Sequence, residues 1–189
     1  PIQWCIAQGE KISGMTTMLM DEGLDTGDIL LKTEVEITSD MTGGQLHDEY
    51  CRIGSALLLE TLEKLENGEI TPRKQDNSIS SYAPMLTHEN TKIDCGSDAD
   101  EIVNLVRAMD PYPGAYTRIN GKKLKVFACR ALNIKSDKSG VVLSTQDGLT
   151  VGCKNSAVLI TQLQLEGKKR MGAAEFLRGY KINKGEQLT

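Results

Sequence analysis

The densest concentration of reactive side chains lies at Asp21-Glu22-Gly23-Leu24-Asp25-Thr26-Gly27-Asp28, where four carboxylates and two glycines share eight residues. A carboxylate held in such a loop can orient a water, fix an imidazole or accept a proton, and Gly23 and Gly27 would let the backbone approach a ligand. The same composition also makes ordinary exposed turns. Its acidic spacing does not match a calcium-binding EF-hand. The two histidines, His47 and His88, have no partners at metal-ligand spacing, and neither can be paired with a nucleophile along the sequence, so no metal is expected. The five cysteines, Cys5, Cys51, Cys95, Cys129 and Cys153, are scattered without a C-x-x-C pair and read as buried free thiols.

Charge supplies the second chemical feature. Residues 1–90 hold 6 basic and 16 acidic side chains, whereas residues 91–189 hold 16 and 10. From Ala115 onward the count is 14 basic against 5 acidic, with clusters at Lys122, Lys123 and Lys125 and at Lys168, Lys169 and Arg170. Such a field favours a polyanionic partner. Exposed lysines that merely solvate strand faces would give the same count, and no aromatic residues interleave the clusters to mark a base-stacking surface.

The acidic loop needs two strands to hold it. A Thr, Leu and Met run over residues 15–20 and an alternating run over 29–37 predict a ribbon around it. Leucines and other apolar residues at spacings of three and four predict a helix over 42–65, stopped by Asn67-Gly68, and residues 2–8 predict a short helix stopped by Gly9. Residues 69–90 are polar and broken, and read as a linker. A second amphipathic helix is expected over 98–109 with Ser97 as its N-cap, ended by Asp110-Pro111-Tyr112-Pro113-Gly114. Short runs over 115–119, 124–134, 141–145, 149–153 and 157–165, separated by turns such as Asn120-Gly121 and Asp147-Gly148, predict a small closed β-barrel, followed by a helical turn from Gly172. Arg107 is read as bracing the end of its helix and the proline-rich turn.

The length, 189 residues with 39% hydrophobic and 25% charged, suits one large or two small folded domains and excludes collagen-like or wholly disordered chains. No apolar run approaches the ~18 residues that would cross a bilayer, and the first ten residues lack the pattern of a signal peptide. A cytoplasmic protein is expected. The chain opens on Pro rather than Met, from which an upstream segment is expected to have been removed.

The stretches Pro1-Ile2-Gln3-Trp4, Gly14 to Met18, Met20-Asp21-Glu22-Gly23-Leu24-Asp25-Thr26-Gly27-Asp28-Ile29-Leu30, Tyr82-Ala83-Pro84 and Arg107 to Ala115 resemble the bacterial methionyl-tRNA formyltransferases. The resemblance spans essentially the whole chain. Its acidic motif is shared by folate-dependent formyltransferases, and its proline-rich motif with the basic region after it favours the tRNA enzymes.

This resemblance implies transfer of a formyl group from 10-formyltetrahydrofolate to methionyl initiator tRNA in translation initiation. It implies an α/β remnant of a Rossmann-like formyltransferase domain over residues 1–68, a linker over 69–90, and an OB-like β-barrel with a leading helix over 91–189. Asp25 takes the place of the catalytic aspartate, and Gly23, Leu24 and Gly27 belong to the folate-binding loop. Lys122, Lys123, Lys125, Arg130, Lys168, Lys169, Arg170 and Arg178 become the candidate tRNA contacts. The catalytic Asn and His that the resemblance implies fall upstream of Pro1, so the isolated chain is expected to be inactive. The whole protein is expected to be monomeric, and this piece to self-associate through exposed catalytic-domain surface. Met85 stands where the resemblance implies a lysine. A formyltransferase acting on an amino sugar and a non-catalytic RNA-binding module are the alternative readings.

Overall fold

The alternating residues around the acidic loop fold as an antiparallel ribbon in a computed structural model, which describes all 189 residues. Strand β1 (Ile12–Leu19) pairs with β2 (Asp28–Glu36) from Ile12↔Glu36 to Leu19↔Asp28, with a register shift between Thr17 and Met18. The ribbon begins three residues before the expected start and runs through Gly14. A Cβ there would lie 2.2 Å from the Thr33 carbonyl oxygen, so the glycine permits a close approach inside the strand.

Helix α2 (Gly43–Glu66) follows, and Gly68, at φ 70°, ends it. It meets the ribbon through Thr61, whose hydroxyl lies 2.9 Å from that of Thr17 and donates 2.6 Å to the Leu57 carbonyl. Tyr50 also donates to the Ser13 hydroxyl. Leu46 and Leu57 are buried, whereas Leu58, Leu62 and Leu65 of the expected apolar face are exposed.

Two compact units divide the chain. The first holds Pro1, Glu10–Met41 and Gln45–Pro84, and the second holds Ile2–Gly9, Thr42–Gly44 and Met85–Thr189. Helix α1 (Ile2–Ala7) and the first residues of α2 thus group with the C-terminal residues, a division that differs from a cut at residue 68 because α1 packs on α3 (Ala99–Met109). Helix α3 is capped by Asp98 rather than Ser97. The Glu101 carboxylate accepts the Asp98 N–H at 3.1 Å, and this reciprocal arrangement sets the start one residue later. Ile102, Val106 and Met109 are buried on the face that α3 turns to the sheet.

That sheet contains β3 (Ala115–Ile119), β4 (Lys122–Leu132), β5 (Val142–Ser144), β6 (Leu149–Cys153), β7 (Ser156–Leu165) and the two-residue β8 (Met171–Gly172), after which comes helix α4 (Ala173–Gly179). Its order is β3-β4-β7-β6-β5, with β8 beside β7, and every ladder is antiparallel. Asn120 and Gly121, at φ 50° and 75°, make the tight turn between β3 and β4. Alternation places Thr117, Ile119, Leu124, Val126, Leu163 and Leu165 in the core and leaves Lys123 and Lys125 on the opposite face, across from Arg118 and Tyr116.

The hydrogen-bond path of the sheet is open, in contrast to the expected closed barrel. β3 and β5 are its two edges, and the C-terminal tail serves both through isolated bridges, Ile119↔Leu188 and Val141↔Gln187, instead of a strand ladder. Arg118 and Thr189 exchange N–H and C=O at 2.8 and 3.0 Å, and Leu188 N–H reaches the Gly140 carbonyl at 2.8 Å. Edge groups that would otherwise template aggregation are satisfied in this way. No helix is long and apolar enough to cross a membrane.

Leu188, 3% exposed and seated between the two edges, tests this account. Leu188→Ala should cost about 2–5 kcal/mol in urea unfolding. Leu62→Ala, at a position 54% exposed, should cost less than about 1 kcal/mol in the same measurement.

Candidate active site and nucleic-acid interface

The acidic residues form the loop between the paired ends of β1 and β2. Asp21 organises it: its Oδ1 accepts the Gly23 N–H at 3.0 Å and the Thr26 hydroxyl at 2.7 Å. The Thr26 hydrogen bond, then that from Gly23, holds the Asp21 carboxyl below its ordinary value of 3.8. Gln75 pins the loop from the segment expected to be a bare linker. Its Nε2 donates 2.8 Å to the Asp25 carbonyl and 2.7 Å to the Gly27 carbonyl, while Ile29 and Arg73 exchange backbone hydrogen bonds at 2.8 and 2.9 Å.

Asp25 is held with φ at 56°, a left-handed conformation that costs an ordinary L-residue roughly 1–2 kcal/mol. Its backbone is tied, yet its exposed carboxylate accepts no hydrogen bond from the chain. The two glycines are each required by the loop itself. A Cβ at Gly27 would lie 1.9 Å from the Leu19 carbonyl oxygen, and one at Gly23 would lie 2.0 Å from the Thr26 hydroxyl. Both therefore allow the chain to approach itself. Leu24 is 82% exposed at the tip.

In the second unit the basic residues divide into those with free heads and those already engaged. Lys122, Arg130, Lys168, Lys169 and Arg178 are exposed. Lys123 places its ammonium 4.1 Å from the Tyr116 ring centroid and 3.3 Å from His88 Nδ1. Loss of solvent, then the positive charges of Lys125 and Arg118, lowers its pKa from the ordinary 10.5. Lys125 Nζ donates 2.8 Å to the Pro113 carbonyl. Arg170 donates to Asp110 Oδ1 at 2.6 Å, and to Gln162 Oε1 at 2.8 and 3.0 Å, with its guanidinium carbon 4.3 Å from the Phe127 ring centroid. These two cations hold the proline-rich turn. Arg107 itself is buried and donates 2.9 Å to Asn104 Oδ1.

No three metal-ligating side chains converge. Burial pushes the Cys129 thiol up to about 12 and Cys95 up to about 11, which keeps both protonated. Of the five thiols expected to be buried, Cys153 is buried, Cys5, Cys95 and Cys129 are half-buried, and Cys51 is exposed. It lies on an exposed face of α2, 3.9 Å from the His47 ring one turn earlier.

Two family models match: formyl transferase over residues 1–62 and formyl transferase C-terminal domain over residues 85–181. The chain belongs to the formyl transferase family. Methionyl-tRNA formyltransferases are among its relatives, from Citrifermentans bemidjiense at 45% identity and Ruminiclostridium cellulolyticum at 43%, each aligned over 100% of this chain. The chain spans 59% and 62% of those proteins. Among solved structures, HypX from Aquifex aeolicus in complex with tetrahydrofolic acid superposes with a TM-score of 0.67 at 24% identity, covering 98% of this chain and 36% of that one. A methionyl-tRNA formyltransferase from Clostridium thermocellum gives 0.52 at 21%, over 73% and 58%. These two likenesses show the formyl transferase fold.

Within this fold, Gln75 and the internal engagement of Lys125 and Arg170 were missed by sequence reasoning. Gln75 sits in a stretch with no period, and no local signal links it to a loop 48 residues earlier.

Gln75→Ala should release the Asp25 and Gly27 carbonyls, each hydrogen bond contributing about 1 kcal/mol, and accelerate hydrogen exchange of the residue 21–28 amides several-fold. Because Asp21 has a lowered folded pKa, its tie is complete above 3.8 and is lost as pH falls through the lower folded value. Loop resonances followed by NMR should therefore stay dispersed at pH 3.8 and collapse only as pH falls further, through the lower folded value, whereas Asp21→Asn should remove that transition.

Proposed function

We propose that this chain is the C-terminal portion of a methionyl-tRNA formyltransferase, which moves the formyl group of 10-formyltetrahydrofolate onto the amino group of methionyl initiator tRNA. The observation that carries the reading is the combination, in one chain, of a backbone-pinned Asp25 with an unengaged carboxylate and a C-terminal region rich in free cations. The alignment of the tRNA enzymes over the full chain supports it.

In this reading residues 1–68 complete a catalytic domain, 69–90 link it, and 91–189 form an OB-like module whose sheet edges are joined by the tail. Asp25 orients an imidazole or a water and helps carry away the proton released as the amine attacks the formyl carbon. Pinning its backbone lowers the cost of placing that carboxylate. Gly23 and Gly27 shape the loop, and exposed Leu24 offers an apolar face to the folate ring system. The imidazole and amide partners implied for the family come from outside these residues, so the chain alone is inactive.

Lys122, Lys123, Lys168, Lys169, Arg130 and Arg178 neutralise RNA phosphates and position the acceptor end, giving affinity that falls with salt. Lys125 and Arg170 serve by holding the turn beside them. Met85, exposed where the family resemblance implies a lysine, adds no charge at the linker.

The test fuses this chain behind the N-terminal segment of the Citrifermentans bemidjiense relative and measures formylation of methionyl initiator tRNA. The fusion should be active, the 189-residue chain should not, and Asp25→Ala in the fusion should lower kcat by at least about 100-fold. Full activity of the Asp25→Ala fusion, or formylation of an amino sugar in place of the tRNA, would overturn the reading.

A further inference from the structure

The turn Asp110–Gly114 joins α3 to β3 and is fixed at four places. Gly114, at φ 83°, donates its N–H 2.9 Å to the Met109 carbonyl, and the Gly44 N–H donates 2.9 Å to the Asp110 carbonyl. Lys125 holds the Pro113 carbonyl, and Arg170 holds the Asp110 carboxylate. Prolines flank its tip on both sides, each fixing its own φ. On this braced tip stands Tyr112, 79% exposed, with no hydrogen-bond partner for its hydroxyl. An aromatic ring left in water on a rigid support contributes little to the fold, and on binding only its own two side-chain torsions, not the backbone beneath it, remain to be ordered.

Its neighbours indicate what that something is. The Arg170–Asp110 ion pair brings the Lys168-Lys169-Arg170 cluster to the turn, although sixty residues separate the two in sequence. The backbone of Lys168 is held in a tight turn, its N–H 2.8 Å from the Leu165 carbonyl and its carbonyl accepting Gln164 Nε2 at 2.8 Å, while its ammonium is left free. An exposed ring on a turn that is tied to a loop of free, exposed lysines is an arrangement by which proteins hold unpaired nucleotides, the ring taking a base and the cations the adjoining phosphates.

We propose that Tyr112 is a stacking platform for an unpaired nucleotide of the bound RNA, with Lys168 and Lys169 on its adjacent phosphates. The proposal rests on the RNA-binding reading above and adds a contact that reads unpaired against paired nucleotides. The aromatic partner absent from the linear pattern of basic residues is supplied in space by the turn.

The experiment titrates the 189-residue chain with a 2-aminopurine-labelled single-stranded RNA hexamer and with initiator tRNA, at several salt concentrations. Tyr112→Ala and Tyr112→Leu should each weaken hexamer binding about 5- to 100-fold at every salt concentration and abolish the 2-aminopurine quench, whereas Tyr112→Phe should bind as the wild type does. The slope of log affinity against log salt should be unchanged in all three, but should fall by about 1.4 in Lys168→Ala/Lys169→Ala. Wild-type affinity in Tyr112→Ala and Tyr112→Leu, or a loss in Tyr112→Phe equal to that in Tyr112→Ala, would overturn the stacking role while leaving the RNA-binding reading intact. Failure of the wild-type chain to bind either RNA would overturn both.

Discussion

The ion pair between Arg170 and Asp110 fixes the relation between the end of α3 and the strand loop that carries the densest basic cluster. Its geometry leaves little freedom. The guanidinium is gripped by Asp110 on one side and Gln162 on another, and it lies over the Phe127 ring. A charge-assisted pair of this kind resists rotation better than a lone lysine contact, because the planar fork is ordered once and used several times. Around this point the chain is crowded: a Cβ at Gly43 would lie 2.2 Å from the Ala108 carbonyl oxygen, and one at Gly44 would lie 2.6 Å from Pro111. Helix α3, the start of α2 and the loop between β7 and β8 therefore share one set of constraints.

The first unit solves a smaller problem by the same means. Its loop is anchored through backbone carbonyls and through the Asp21 side chain, which leaves the neighbouring Asp25 carboxylate unspent. Binding and catalysis both gain when support and chemistry are assigned to different atoms, since the reactive group need not break a bond to act. The glycines belong to the support. At Gly27 the nearest atoms to a would-be side chain are those of Leu19, so the motif's glycine spacing records how closely two strand ends meet.

Local periodicity made much of the fold legible. Helices α2 and α3, the ribbon, the Asn120-Gly121 turn and the strands of the basic half follow from spacings of two and from spacings of three and four, and Asp25 was visible through its motif. What escaped was long-range. The tail at Gln187 and Leu188 has no strand pattern of its own, yet it bridges both sheet edges and leaves the sheet open as a ladder where a closed barrel was expected. The charge of Arg170 and Lys125 can be read in sequence, whereas the internal acceptors that they also reach, Asp110 and Pro113, lie 60 and 12 residues away and carry no local signal. Exposure of Leu58, Leu62 and Leu65 was equally invisible, since periodicity identifies an apolar face without saying what covers it.

The most direct test of the distinction between supporting and binding cations is the salt dependence of initiator tRNA affinity in Arg170→Gln, measured beside its thermal unfolding. A supporting role predicts a lower melting temperature, equivalent to about 1–3 kcal/mol, with the slope of log affinity against log salt unchanged. A slope reduced by about 0.9 with an unaltered melting temperature would make Arg170 a phosphate ligand and contradict the account.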